Sequence, residues 1–156
     1  MISIEEIPVE RISEFWEKHI RYLVNDGIIS DEENIDYFSG EEYRGILKEH
    51  MVRSTDRHHM ICFCRDGERI GAASYCIYQS EDGKCFILDY WVFPQFRGNG
   101  TGHLCFEALE KYTKADGAEY YELNSTKEDS VRFWKSLGFR ENGNDEYDMP
   151  LFVKNI

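Results

Sequence analysis

An apolar run, Leu88-Asp89-Tyr90-Trp91-Val92-Phe93, leads through Pro94-Gln95-Phe96 into Arg97-Gly98-Asn99-Gly100-Thr101-Gly102, with three glycines at alternate positions. Residues without Cβ let the main chain approach an anion closely, and a helix starting near Gly100 adds the positive end of its dipole. Arg97 supplies a fixed charge that pairs with phosphate oxygens. The implied chemistry is phosphate binding, since a tight turn alone rarely needs so many glycines. A dinucleotide fingerprint does not fit, because His103 stands where its third glycine belongs. No Gly-Lys-Ser/Thr follows, which excludes a Walker A loop. Asp89 is the second chemical signal, because a carboxylate within an apolar run needs a partner or a task. His58-His59 with Cys62 and Cys64 reads as strand packing, so no metal is expected.

The elements that would hold these residues follow from periodicity. Ile2-Ser3-Ile4 alternates as a short strand ended by Pro8, and Ile12, Phe15, Trp16, Ile20 and Leu23 predict a helix from about Glu10 to Asn25-Asp26-Gly27. The acidic stretch from Asp31 to Gly40 reads as a loop, with Ser39 or Gly40 opening a second helix. His59 to Cys64, Ile70 to Tyr78 and Lys84 to Phe93 predict an antiparallel meander, joined by turns at Asp66-Gly67-Glu68 and Glu81-Asp82-Gly83. A helix after the glycines ends near Asp116-Gly117, and a strand spans Tyr120 to Leu123. Ser125 or Thr126 is expected to cap a helix ended by Gly138, and runs at Phe139 to Glu141 and Met149 to Val153 flank the turn-rich Asn142-Gly143-Asn144-Asp145. The order β-α-α-β-β-β-α-β-α-β-β predicts one α/β (α+β) domain over residues 1–156, a mixed sheet with flanking helices.

Arg97-x-x-Gly100-x-Gly102, preceded by Val92-x-Pro94, resembles the pyrophosphate loop of the GCN5-related N-acetyltransferase (GNAT) family. Ser130-Val131-Arg132-Phe133-Trp134-Lys135-Ser136-Leu137-Gly138-Phe139 resembles that family's helix ending in Leu-Gly-Phe, and the order of elements is also the family's. The resemblance implies an acetyl-CoA-dependent N-acetyltransferase in which an amine attacks the thioester directly. It places the pyrophosphate on the amides of Arg97, Gly98, Asn99, Gly100, Thr101 and Gly102. Pantetheine would lie along the strand ending at Val92 and Phe93, which splays from the strand at Tyr120. The helix carrying Ser130, Phe133 and Trp134 would line its other side. Lys127 falls where many relatives have a CoA-contacting Asn, and Trp134 where many have the Tyr that reprotonates the thiolate. An indole N–H donates a hydrogen bond and has no proton to give, so Tyr147 and Tyr121 are the substitute acids. Asp89 is the first candidate for the base that deprotonates the amine, and Glu122 the second. The missing Tyr motivates a competing reading, a non-catalytic CoA-binding sensor or interaction module. Many relatives are dimers, and no segment here marks an interface.

Composition bounds the partners. Net charge is -12, and residues 1–49 carry -8 of it, so a nucleic-acid partner is not expected. Asp31, Glu32, Glu33 and Asp36 lie between the first two predicted helices, where the resemblance puts the acceptor, and they predict a cationic amine, either a small molecule or a peptide amine. Five cysteines without a CxxC pair suit reduced thiols, and Cys105 has no neighbouring base to make it a nucleophile. The start of the chain lacks a signal-peptide pattern and no run of eighteen apolar residues occurs, so a cytoplasmic protein without membrane segments is expected.

Overall fold

The computed structural model describes residues 1–155. Strand β1 (Ser3–Glu6) is followed by a 3-10 turn at Val9–Arg11, which delays helix α1 to Ser13–Asn25. Phe15, Trp16, His19 and Leu23 form the buried stripe of α1, and Gly27, at φ 70°, turns the chain after its end. The stretch expected to be a loop is helical instead, as α2 (Glu32–Ser39). Asp31 accepts the Asn34 amide at 3.1 Å as N-cap, and Glu32 and Glu33 occupy the favourable end of the dipole, so the acids that suggested a loop are the start of a helix. Gly40 separates α2 from α3 (Glu41–Met51).

Strands β2 (His58–Arg65), β3 (Glu68–Tyr78) and β4 (Lys84–Val92) form the antiparallel meander. After α4 (Thr101–Ala115) come β5 (Tyr120–Asn124), α5 (Glu128–Ser136), β6 (Arg140–Asn144) and β7 (Pro150–Asn155). Strand β6 therefore runs through the segment read as a turn, with an irregularity between Glu141 and Asn144, and the chain reverses at Asp145–Asp148. There the Asp145 carboxylate accepts the amides of Tyr147 and Met149. Lys127, not Ser125 or Thr126, is the N-cap of α5 and makes no side-chain cap, while the Ser125 hydroxyl is buried without a partner among the described residues.

The sheet has the order β1-β2-β3-β4-β5-β7-β6, and only β4 and β5 run parallel. Their pairing covers Lys84, Cys85 and Phe86 alone. One strand earlier, Ser74 faces Asp89 and Tyr75 faces Ile87, so Leu88 is an extra residue in β4. Such a bulge bends its strand, and beyond it β4 leaves β5. One face of the sheet packs on α4 and α5 through Phe106, Leu109, Trp134 and Phe139; the other packs on α1 and α3 through Phe15, Trp16, Leu47 and Trp91. Among the described residues no helix is long and apolar enough to cross a membrane.

Beneath α1 the apolar layer is interrupted by His19, His58, Ser74 and Asp89, all buried. Burial lowers the His58 pKa to about 4, against the weaker opposing pull of Asp89. The unfolded chain thus binds this proton near pH 6.5 and the folded one only near 4. Stability is full above pH 6.5 and falls towards pH 4, by on the order of 3 kcal/mol. His58→Gln is expected to flatten the pH dependence of urea unfolding in that window, and an unchanged slope would contradict it. Gly71 lies on β3 opposite Val92, where an added Cβ would sit 2.6 Å from the Trp91 carbonyl oxygen. Gly71→Ala is expected to cost about 1–3 kcal/mol in the same measurement.

Candidate active site

After β4 and a 3-10 turn at Pro94–Phe96, the chain passes through Gly98, Asn99 and Gly100 at φ 95°, 55° and 75° and enters α4. A Cβ on Gly98 or Gly100 would meet nothing, so glycine serves the left-handed backbone there. Gly102 differs: its Cβ would stand 2.8 Å from Phe133 Cε1, so glycine there brings α4 close to α5. The Thr101 amide and hydroxyl both donate to the Gly98 carbonyl. The amides of Gly98, Asn99, Gly100, Gly102 and His103 donate to no acceptor among the described residues. Unpartnered amides at a helix start form an anion site.

Of these residues, Gly98, Gly100, Gly102 and His103 border a cavity of about 430 Å³ between the glycine loop, the end of α1 and the start of α5. Val92, Arg97, Gly98, Gly100, Thr101 and Gly102 line it from the loop side. Lys127, Ser130, Phe133 and Trp134 line it from α5. Phe93 and Asn99 do not reach it. The Phe93 amide is taken by the Ile70 carbonyl, and its buried ring lies 4.7 Å from Lys18 Nζ. Arg97 donates from Nε to the Val92 carbonyl and from Nη2 to Asp26 at the end of α1, both at 2.8 Å.

A second cavity, about 350 Å³, fills the gap between the splayed β4 and β5. It shares Tyr22, Ile28, Tyr90, Lys127, Ser130 and Trp134 with the first, so the two meet along β4. Asp89 lines this second cleft. Its Oδ2 accepts the Ser74 hydroxyl at 2.7 Å, and its Oδ1 lies 3.2 Å from His19 Nε2, an ion-pair distance at an angle too bent for a hydrogen bond. Burial pushes the Asp89 pKa up, but His19, Ser74 and His58 outweigh it and hold the carboxyl below its ordinary value. Asp89 is therefore ionised at neutral pH.

Glu122 lies outside both cavities, with Oε1 3.6 Å from Lys84 Nζ. The Tyr121 hydroxyl is buried against α4, bonded to Thr113 and to the Glu110 carbonyl. Tyr147 is 79% exposed on the β6–β7 turn. Neither tyrosine lines either cavity. Trp134 does, wedged among Tyr90, Phe106, Phe133 and Phe139. Cys105 is buried, and burial pushes its thiol up to about 12, which makes it a poor nucleophile. Asp31, Glu32, Glu33 and Asp36 are all exposed and line neither cavity.

Two residues at the site are absent from the sequence reading. His19 carried one signal, a histidine on the apolar stripe of α1. Tyr22 is stacked on Trp91 at 4.4 Å and 5°, and lines both cavities; burial, with Asp89 and Asp26 nearby, raises its pKa. Its spacing in α1 does not distinguish it from a packing residue.

No curated protein matches the sequence. Among solved structures, the chain is similar to the PaiA N-acetyltransferase of Thermoplasma acidophilum in complex with coenzyme A, at TM-score 0.73 and 22% identity, covering 100% of this chain and 99% of that one. An acetyltransferase of Thermus thermophilus gives TM-score 0.70 at 12% identity over 100% and 97%. The IAA acetyltransferase of Bacillus cereus gives 0.65 at 15% over 100% and 100%. These likenesses establish the fold. The model of the acetyltransferase (GNAT) family matches residues 25–139, from the end of α1 through the glycine loop to the turn after α5. The chain belongs to the GNAT acetyltransferase family, enzymes that use acetyl-CoA as acetyl donor.

Proposed function

We propose that the protein transfers an acetyl group from acetyl-CoA to an amine nitrogen by direct attack on the thioester. The observation that carries this reading is the meeting of two cavities along β4, one bordered by unpartnered amides and the other holding a single carboxylate.

The residues present fit CoA. The unpartnered amides of Gly98, Gly100, Gly102 and His103 suit its pyrophosphate, and Arg97 adds a charge. Beyond Phe86 the edge of β4 that faces β5 has no strand partner among the described residues, so where it borders the first cavity, at Tyr90 to Val92, it can take the peptide-like amides of pantetheine as an added strand. Bound acetyl-CoA supplies a thioester carbonyl and a thiolate leaving group.

Asp89 receives the ammonium of the acceptor, which loses one proton to solvent to expose its lone pair, and Asp89 accepts the second proton as the attacking nitrogen becomes acidic on bond formation. Ser74 holds one carboxylate oxygen and His19 stands behind the other, so Asp89 is the better base candidate and Glu122, beside Lys84, the weaker. The leaving thiolate needs no strong acid, since thiol pKa values lie near about 8.5. Tyr22 and Trp134 line both cavities and carry an O–H and an N–H, the kinds of donor a thiolate accepts. The negative surface favours an encounter with a protonated amine.

Asp89→Asn is expected to lower kcat/KM by about 10²–10³ while acetyl-CoA affinity stays within about twofold. Steady-state assays with equilibrium binding check this, and retained activity with an unchanged pH–rate profile would refute the assignment. Asp26 competes with the pyrophosphate for Arg97, through an ion pair worth at most about 1 kcal/mol. Asp26→Asn should therefore tighten CoA binding by about two- to fivefold in calorimetry; weaker binding would show that Asp26 positions Arg97 for the ligand.

A further inference from the structure

The cleft between β4 and β5 carries a pattern of charge and apolar surface that narrows the acceptor. Among the described residues, its only charged lining side chains are Asp89 and Lys127. Asp89 comes from the buried floor of β4, whereas Lys127 is exposed at the start of α5 and has no ion-pair partner among the described residues. Lys127 Nζ reaches across to the α1–α2 connection, 3.2 Å from where a Cβ on Gly27 would lie. One anion and one cation thus belong to the same small cavity.

Three exposed apolar side chains converge on it from three elements. Ile28 after α1 is 47% exposed, Leu88 at the bulge 48% and Met149 before β7 41%, and all three line the cleft. Scattered exposed apolar residues are ordinary, but three around one cavity form a wall for an apolar group. The Ser125 hydroxyl lines the same cleft, buried and without a partner among the described residues. A buried hydroxyl calls for a hydrogen-bonding partner, which a polar ligand can provide.

We infer that the acceptor is a zwitterionic small molecule, an α-amino acid with a bulky apolar side chain, whose amine meets Asp89, whose carboxylate meets Lys127, and whose side chain covers Ile28, Leu88 and Met149. This inference rests on the N-acetyltransferase reading above. A polyamine is disfavoured, because its second ammonium finds Lys127 and no second carboxylate in the cleft. A cavity of about 350 Å³ has the volume of a small-molecule site. In the reaction the ammonium loses one proton to solvent, the neutral nitrogen bonds to the acetyl carbon, the C–S bond breaks with its electron pair on sulfur, and the second nitrogen proton, taken up by Asp89, passes to the thiolate. The products are an N-acetyl amino acid and free CoA.

The test is release of free CoA by the full chain with acetyl-CoA and a panel of phenylalanine, methionine, leucine, phenethylamine, putrescine and spermidine. The bulky amino acids are expected to exceed phenethylamine and the polyamines in kcat/KM by at least about tenfold. Lys127→Glu should reduce their use by at least about tenfold at saturating acetyl-CoA and shift preference towards the polyamines, with the acetyl-CoA dissociation constant measured alongside because Lys127 lines the first cavity too. A polyamine preferred by the unaltered chain would overturn the inference and leave the N-acetyltransferase reading standing. Equal use of phenethylamine, or Lys127→Glu weakening acetyl-CoA and not the acceptor, would overturn the role given to Lys127. Acetyl-CoA binding with no CoA release from any amine would overturn both readings.

Discussion

Leu88 has no partner on β3, and the consequences of that one unmatched residue run through the whole site. Because the bulge falls just after the three residues paired with β5, β4 bends away while its other edge stays on β3. The bend opens a gap in the middle of a seven-stranded sheet, where backbone is otherwise paired. Into that gap β4 turns both a free edge and a carboxylate, and its end delivers the chain to the glycine loop. Beyond the bulge, Tyr90 packs towards α5 and Asp89 lies beneath α1, so adjacent residues serve opposite faces of the sheet.

A carboxylate at that depth is costly unless its environment favours the ion. Ser74, facing Asp89 across the β3–β4 ladder, and His19, one α1 turn from Phe15, make that environment. The packing of α1 on the sheet is thus also the electrostatic setting of the site. Its C-terminal end carries Tyr22 and Asp26, the first lining both cavities and the second holding Arg97, so one helix touches every part of the chemistry.

Much of this was legible in the sequence. The glycine spacing, the meander and the helix ending at Gly138 depend on local backbone demands that residue types report directly. Helix α2 was not legible, because its stability comes from an Asp31 cap and a charge–dipole arrangement in residues that composition assigns to a loop. The extension of strand β6 beyond the expected run at Phe139 to Glu141 was missed for a related reason: Asn142-Gly143-Asn144 reads as a turn, but pairing with β7 absorbs it as an irregularity. His19 is a long-range partner of Asp89 and leaves only a histidine on an apolar stripe as its trace. The acids at Asp31 to Asp36 led to a cationic acceptor, yet they lie outside the cleft, which is itself lined by one acid, one lysine and apolar side chains.

The account depends on CoA occupying the free edge of β4 and the unpartnered amides of the glycine loop. Residue-resolved amide hydrogen exchange with and without CoA tests this most directly. The amides of Gly98, Gly100, Gly102 and His103, together with those on the β5-facing edge of β4 from Tyr90 to Val92, are predicted to become protected. Protection confined to other elements, with these amides unchanged, would contradict it.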